Sequence, residues 1–221
     1  MAAELLLNCM KLIYRYSSKR RRIETMAEKK RVKRVLTLLG SPRKKGNSAS
    51  LASAATRGAE SAGAEVETVY LNGLKISACQ GCGSCRKAGR PGCVQDDDMQ
   101  VLYPKIAAAD GFIIASPVYW FTMSAQTKLF MDRWYMFGAD GYRALGGKRA
   151  AVVMSYGDED PFMSGCVNAL RSFQDAFRFV GIELAGFVYG TGDKPGDLAE
   201  DARLQVKAED LGRRLIEGDP E

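Results

Sequence analysis

The stretch that most constrains the fold is VLTLLGSPRKKGNSAS, in which an apolar run meets a polar loop bounded by glycine. Residues 35–39 predict a buried strand, and the small residues from 49 onward predict a helix. In a parallel sheet the loop 40–48 would lie at the carboxyl edge, where backbone N–H groups and the helix dipole favour an anion. The predicted anion-binding residues are Ser41, Arg43, Gly46, Asn47 and Ser48. Either of the last two can cap the helix. The alternative interpretation is that loop 40–48 is an ordinary turn whose charged side chains are solvated and bind no anion.

Strand patterns alternate with helical patterns along the rest of the chain. Strands are predicted at residues 35–39, 65–71, 111–116, 149–155 and 182–189. Helices are predicted at residues 47–63 and 161–180, and one more begins within residues 96–98 and ends at 109. Two further helices are predicted to begin at residues 124 and 197. This alternation predicts an α/β fold with a flavodoxin-like, doubly wound, five-stranded parallel sheet. The expected strand order is 2-1-3-4-5, with helices on both faces.

The basic residues are concentrated near the start of the chain. Residues 1–34 hold 11 Lys and Arg against 3 Asp and Glu, whereas the remainder carries a net charge of −2. We therefore expect residues 1–33 to be a basic extension, with Met26 favoured as the true start, and residues 34–221 to form the domain. A nearly neutral domain argues against nucleic-acid binding. The sequence has no long apolar run that could span a membrane and no secretory signal pattern, so a cytoplasmic protein is expected.

Histidine is absent from the sequence. This excludes Ser-His-Asp and Cys-His nucleophile systems as well as metal sites built on imidazole. The chemistry must therefore come from a cofactor, a thiol or a carboxylate, and cofactors carry the difficult steps in most redox enzymes.

An aromatic run follows the predicted third strand, in a position where a loop is normally polar. Tyr119, Trp120 and Phe121 are consecutive and come directly after Pro117 and Val118. Such rings can wall a planar heteroaromatic ligand, although a plug against the next helix or a subunit interface is the alternative. The loop after the fourth strand adds three candidates at the same edge: Ser155, Tyr156 and Gly157. Together with the anion loop, these residues favour a mononucleotide.

Four cysteines lie in one irregular insertion, residues 75–95. Cys79, Cys82, Cys85 and Cys93 follow the pattern C-x2-C-x2-C-x7-C. This spacing suits an iron–sulfur cluster, and zinc held by the four thiolates is a competing interpretation. Unligated thiols are the third interpretation. Disulfides are disfavoured because the chain has the character of a cytosolic enzyme.

Three segments together resemble a known family. They are GSPRKKGNS at 40–48, the cysteine segment ending in CVQDDDM, and SPVYWFTMSAQTKLFMDRWY at 116–135. Over most of the chain the sequence resembles the NADPH-dependent FMN reductases and iron–sulfur flavoproteins. The resemblance implies bound FMN, NAD(P)H or an iron–sulfur donor as the source of electrons, and a homodimer or homotetramer. Iron–sulfur members of this family carry a compact cysteine motif of this type, which implies a [4Fe–4S] cluster here.

The resemblance also assigns roles to the candidate residues. It implies that Ser41, Arg43, Asn47 and Ser48 hold the FMN phosphate. The segment 117–120 would lie along the isoalloxazine, and the loop 155–157 would complete its pocket.

Two functions from different classes follow from these expectations. The first is an oxidoreductase that passes electrons through FMN to a quinone, nitro compound, metal or flavin, or to a protein acceptor. The second is a flavodoxin-type electron carrier without enzymatic activity. Because carriers usually present a strongly acidic docking surface and this domain is nearly neutral, the enzyme is favoured.

Overall fold

The computed structural model describes residues 31–87, 89 and 92–218. Its strands are β1 (Arg34–Leu39), β2 (Glu65–Tyr70), β3 (Gly111–Tyr119), β4 (Thr122–Met123), β5 (Arg149–Tyr156) and β6 (Glu183–Thr191). Its α-helices are α1 (Asn47–Ser61), α2 (Met99–Ala108), α3 (Ala125–Asp132), α4 (Cys166–Val180), α5 (Asp197–Glu200) and α6 (Ala202–Glu217). Segments of 3-10 helix occur at Leu71–Gly73, Ser84–Arg86 and Arg133–Asp140.

Five strands form a parallel sheet in the order β2-β1-β3-β5-β6. When the parallel strands alone are counted along the chain, this is the order 2-1-3-4-5, so the predicted flavodoxin-like fold is confirmed. The short strand β4 was not predicted and pairs antiparallel with the end of β3. The carboxyl ends of the parallel strands therefore meet at one edge of the sheet.

The central strand β3 contributes side chains to both faces of the sheet. Phe112 and Ile114 join the core that is covered by α2 and α4, whereas Ile113 and Ala115 join the core that is covered by α1 and α6. This alternation is the ordinary period of a strand. Because both faces are covered by helices, β3 is an almost continuous apolar run, as its sequence shows.

Pro117 does not end the third strand, contrary to the prediction. β3 continues to Tyr119, and Pro117 is paired with Ser155 of β5. On its other side β3 has a partner only as far as Ala115, which lies opposite Leu39 at the end of β1. Pro117 therefore lies beyond the residues of β3 that pair with β1, and the N–H that proline lacks is not needed for that pairing. β3 therefore projects past the end of β1.

Two predicted helices differ in extent from the observed ones. The helix predicted at 161–180 begins at Cys166, directly after Gly165 in the left-handed conformation with φ of 76°. The predicted last helix is divided in two at Asp201, whose carboxylate accepts a hydrogen bond from the Leu204 N–H at 2.9 Å and caps α6. The ends of these helices are thus set by local capping residues and not by the spacing of apolar residues along the helix.

The predicted basic extension and Met26 lie outside the described residues, except for residues 31–33. Within the part of the chain that the structure describes, no helix is long and apolar enough to cross a membrane.

Candidate functional site

A cavity of about 280 Å³ lies at the carboxyl ends of β1, β3, β5 and β6. Its lining includes every residue predicted for the cofactor site except Trp120: Ser41, Arg43, Gly46, Asn47, Ser48, Pro117, Val118, Tyr119, Ser155, Tyr156 and Gly157. Gly192, Asp193 and Pro195 complete the lining. The sheet thus brings together four loops that are far apart in the sequence.

One end of the cavity is formed by the start of α1. Gly46 precedes this helix in an extended conformation, and no side chain caps the helix. The first N–H groups of a helix have no partner within it, so these donors remain available at the cavity wall. The buried hydroxyl of Ser41 accepts a hydrogen bond from the Arg43 N–H at 3.1 Å, which holds the loop in a tight turn. Donors and helix dipole together suit an anion.

The Asn47 side chain bonds to the loop after β6. It does not cap α1. Its amide nitrogen donates to the carbonyls of Gly192 at 3.2 Å and Lys194 at 2.9 Å. Its amide oxygen accepts from the N–H groups of Gly196 at 2.9 Å and Leu198 at 3.3 Å. Asn47 therefore fastens the loop after β6 to the start of α1.

Buried hydroxyl groups join the loop after β1 to the start of α3. Ser124 donates from its hydroxyl to the Gly40 carbonyl at 2.7 Å, and its N–H donates to the hydroxyl of Ser116 at 2.9 Å. A Cβ atom at Gly40 would lie 1.9 Å from the hydroxyl oxygen of Thr127, so only glycine fits there. This packing fixes the loop after β1 against the end of β3 and the start of α3.

The predicted aromatic run forms a tight turn between β3 and β4. Tyr119 pairs with Thr122, leaving Trp120 and Phe121 as the two turn residues. Both have positive φ, 47° and 64°, which is costly for residues other than glycine and asparagine. Trp120 is 92% exposed. Bulky residues held in this conformation commonly mark functional sites.

The start of α4 braces this aromatic turn. The Asn168 amide donates to the Phe121 carbonyl at 3.1 Å. A Cβ atom on Gly165 would lie 2.5 Å from the Cα and Cβ of Phe121, so the turn and the helix touch at a glycine. The strained turn is therefore held by packing from a neighbouring element rather than by its own sequence.

Trp120 lines a second cavity, of about 330 Å³, and not the first one. The two cavities share three lining residues: Val118, Tyr156 and Gly157. The aromatic turn and Ser164 form the outer wall of the second cavity. Burial raises the pKa of Tyr156, which therefore stays neutral in the ordinary pH range. The adjoining cavities provide room for two ligands side by side.

Sequence reasoning missed the loop after β6. Residues 192–195 read GDKP, and three of the four line the first cavity. The sequence contained a signal for this loop. A segment rich in Gly, Asp and Pro that follows the last parallel strand must lie at the carboxyl edge of the sheet, as the other cavity loops do.

The cysteine loop lies apart from this cavity. Cys79 and Cys82 are exposed, Cys85 is buried and Cys93 is half-buried. Gly81 and other glycines of the loop adopt positive φ, which allows tight turns. Among the described residues, which include all four of these cysteines, no three Cys, Asp or Glu side chains lie close enough to ligate a metal ion.

A buried ion pair holds the first residues of the cysteine loop. Arg133 is 1% exposed and pairs with the Asp97 carboxylate. Its guanidinium also donates to the Ser77 carbonyl at 2.8 Å, and the Asp97 carboxylate accepts from the Ser77 N–H at 3.0 Å. Although burial opposes its ionisation, the hydrogen bond from Arg133 holds the pKa of Asp97 below its usual value. The pair fastens the start of the loop to the protein core.

The same guanidinium reaches the last of the four thiols. Its second terminal nitrogen lies 3.5 Å from the sulfur of Cys93. Burial opposes ionisation of Cys93, but the Gln95 backbone and Arg133 hold its pKa below the ordinary value. Burial raises the pKa of Cys85, and charge on Cys93 and the other two thiols raises it further.

The donor set fits an iron–sulfur cluster chemically. Four thiols with no competing imidazole are the ligands that such clusters prefer. The Tyr103 hydroxyl is buried, and no described group lies in hydrogen-bonding geometry with it. The exposed thiols of Cys79 and Cys82 would have to move inward to reach a common cluster.

Solved structures share this fold. An NAD(P)H:quinone oxidoreductase from Methanothermobacter marburgensis superposes with a TM-score of 0.66 at 22% identity, covering 86% of this chain and 100% of that one. At this identity the likeness establishes the fold alone.

Sequence comparison assigns the family. An iron–sulfur flavoprotein of Archaeoglobus fulgidus is 35% identical over 182 residues, covering 81% of this chain and 77% of that protein. An iron–sulfur flavoprotein of Methanosarcina thermophila is 33% identical over 153 residues, covering 69% and 77% respectively. The sequence profile of the NADPH-dependent FMN reductases matches residues 33–189. The chain therefore belongs to the NADPH-dependent FMN reductase family and is an oxidoreductase.

Proposed function

We propose that the chain binds FMN in the first cavity and passes electrons from NAD(P)H to a small-molecule or protein acceptor. The observation that carries this proposal is the convergence of three predicted loops on one cavity of about 280 Å³, with helix donors at one end and aromatic residues at the other. A mononucleotide needs both features, an anion site and a wall for a planar ring. Quinones, nitro compounds, metals and free flavin are the acceptor classes that we propose.

The phosphate would be bound by the loop after β1. Arg43 is exposed and lines the cavity, so its guanidinium can form two parallel hydrogen bonds with a phosphate. The buried hydroxyls of Ser41 and Ser48 and the N–H groups at the start of α1 supply shorter-range donors. These groups are uncharged or positive, which suits a dianion.

The flavin ring would lie among the loops that follow β3 and β5. Pro117 and Val118 supply rigid backbone, and Tyr156 supplies a neutral phenol. Bound FMN would accept a hydride and release electrons singly or in pairs, which is chemistry that no side chain of this site supplies. The second cavity, beside Tyr156 and under Trp120, is where we propose that the nicotinamide or the acceptor enters.

The enzymatic proposal is tested with the purified full chain after removal of flavin. Apo-protein should not oxidise NADPH in the presence of a quinone, and addition of FMN should restore the oxidation. Reduction of bound FMN, followed under anaerobic conditions, separates the two half-reactions. If FMN binds but neither NADPH nor NADH reduces it, the proposed transfer of electrons from NAD(P)H to the flavin is refuted.

We also propose that Cys79, Cys82, Cys85 and Cys93 hold a [4Fe–4S] cluster. The donor set, four thiols in one loop with no competing imidazole, supports this proposal. Each Cys→Ser variant at these positions should lower the iron content of anaerobically reconstituted protein. The matched control is Cys166→Ser, because Cys166 is fully buried at the start of α4, outside the cysteine loop. Absence of iron from reconstituted wild-type protein would refute the cluster and leave the FMN proposal intact.

A further inference from the structure

We propose that the second cavity binds a planar aromatic electron acceptor that is uncharged or cationic, and that Asp158 is the residue that disfavours anionic acceptors. This inference rests on the proposed function, because it assigns the acceptor of the same reaction. In that reaction NAD(P)H loses a hydride, and a quinone acceptor takes up the equivalent of this hydride and one proton from solvent to become the hydroquinone.

The walls of the second cavity are mainly aromatic and apolar. Trp120 and Phe121 line it and are 92% and 55% exposed, and Val118 and Tyr156 line both this cavity and the first one. Broad apolar walls with few polar groups are typical of sites for planar aromatic ligands. A ligand in this cavity of about 330 Å³ would lie beside the proposed FMN site.

The charge in this cavity comes from one residue. Of the lining residues that the structure describes, Asp158 is the only acidic one, and none is Lys or Arg. A carboxylate repels an anionic ligand and attracts a cationic one, and the faces of the Trp120 and Phe121 rings also favour cations. Among the proposed acceptors, this lining favours uncharged quinones and nitro compounds over sulfonated or carboxylated ones.

Asp158 is held at the cavity by the end of β6. The Thr191 hydroxyl donates to the Asp158 carbonyl at 2.6 Å, and the Gly192 N–H donates to the Tyr156 carbonyl at 2.8 Å. The Asp158 carboxylate accepts a hydrogen bond from the Glu159 N–H at 2.8 Å. An amide oxygen can accept the same bond, so Asp158→Asn removes the charge and keeps the turn.

The two acidic residues that follow Asp158 do not share its position. Glu159 is exposed and does not line the cavity. The Asp160 carboxylate accepts hydrogen bonds from the N–H groups of Phe162 and Met163, at 2.6 and 2.9 Å, and so closes the next turn of the chain. The position of Asp158 therefore distinguishes it from its acidic neighbours.

The test measures the binding of three anthraquinones to the full chain loaded with FMN. A sulfonate derivative is anionic, a hydroxymethyl derivative is uncharged and a trimethylammonium derivative is cationic. Anthraquinones are suitable because, unlike smaller quinones, they do not add to exposed thiols such as those of Cys79 and Cys82. NAD(P)H is left out, so calorimetric titration and quenching of tryptophan fluorescence report binding without turnover. The salt concentration is about 0.15 M, which screens distant charges.

Wild-type protein should bind the uncharged and cationic probes more tightly than the anionic one. Asp158→Asn should reduce the preference for the uncharged over the anionic probe about fivefold, the effect of one unit charge at close range in water. The preference for the cationic over the uncharged probe should fall by a similar factor. If this variant does not fold, the salt dependence of the wild-type preference takes its place, since added salt must reduce it.

Glu159→Gln is the matched control, because it removes the same charge one residue further along, outside the lining. Its preferences should equal those of the wild type. Equal wild-type affinity for the three probes, unchanged preferences in Asp158→Asn, or an equal change in Glu159→Gln would each overturn the inference. A chain that binds FMN but shows no charge preference refutes this inference alone, whereas a chain that binds no FMN refutes the proposed function together with it.

Discussion

Asn47 illustrates how one side chain can connect two loops that line the same cavity. Its amide makes four hydrogen bonds to the backbone of residues 192–198, so the loop after β6 is held against the start of α1. Asn47 is 9% exposed, and water cannot readily replace these bonds. The loop that carries Asp193 and Pro195 into the cavity therefore depends on this residue.

Asn47→Ala should lower the free energy of unfolding by about 1–3 kcal/mol, because it leaves buried backbone groups without partners. Asn72→Ala is a suitable control, since the amide of Asn72 makes only exposed side-chain contacts. Urea denaturation measures the free energy of unfolding of both variants. Equal stability of Asn47→Ala and wild type would mean that the loop after β6 does not need this anchor.

Arg43→Ala should weaken FMN binding about tenfold to a hundredfold, the amount expected for one charge-assisted contact. Lys45→Ala is the matched control, because Lys45 is an exposed cation of the same loop that does not line the cavity. Titration of apo-protein with FMN, followed by flavin fluorescence, gives both dissociation constants. Equal weakening in the two variants would indicate general electrostatic attraction rather than a phosphate contact.

Side-chain composition predicted which residues line the cavity, but not what each one does. Ser41 and Arg43 were identified because a polar loop between a strand and a helix has one typical use. The true contacts of Asn47 could not be predicted, since they join residues about 145 positions apart and depend on how β6 ends.

At the scale of elements, the turn between β3 and β4 depends on α4. Trp120 and Phe121 have positive φ, and neither residue favours that conformation. Contact with Gly165 and the hydrogen bond from Asn168 hold the turn in place. The sequence suggested a loop of aromatic residues here, but a two-residue hairpin normally contains asparagine or glycine. Its geometry therefore could not be predicted.

Gly165→Ala should displace this turn and weaken FMN binding, because the added Cβ would overlap Phe121. Gly181→Ala is the matched control. Gly181 has nearly the same φ, 75° against 76°, but its Cβ would meet only Gly146, at 3.4 Å. Both variants should lose about 1–2 kcal/mol of stability from the strained backbone. Only Gly165→Ala should lose affinity for FMN, and equal affinities would contradict the bracing role of α4.

The strands were the most predictable elements, because parallel strands that are covered on both faces are nearly continuous apolar runs. The order of the sheet followed from the alternation of strands and helices. The extension of β3 past Pro117 was missed because it depends on where the neighbouring strand β1 ends. Such information belongs to the assembled sheet and not to the local sequence.

At the scale of the whole molecule, large apolar side chains are exposed at the second cavity, which Trp120 lines, and in the segment that directly precedes its lining residue Ser164. Trp120, Phe162 and Met163 are 92%, 77% and 65% exposed. Patches of this kind commonly mark an interface. We therefore expect the chain to associate with itself through this surface, as a homodimer or homotetramer.

Phe162→Ser should shift that association toward the monomer, as measured by sedimentation at micromolar concentration. Phe179→Ser is the control, because Phe179 is similarly exposed, at 74%, but lies at the far end of α4. A wild-type protein that sediments only as a monomer would contradict the expected association.

We propose that the cavity at the carboxyl edge holds FMN, with its phosphate at the start of α1. The most direct test compares the affinities of apo-protein for FMN and for riboflavin, which has the same ring without the phosphate. Two or more charge-assisted hydrogen bonds should make FMN bind at least about a hundredfold more tightly. Equal dissociation constants for the two ligands would contradict the claim.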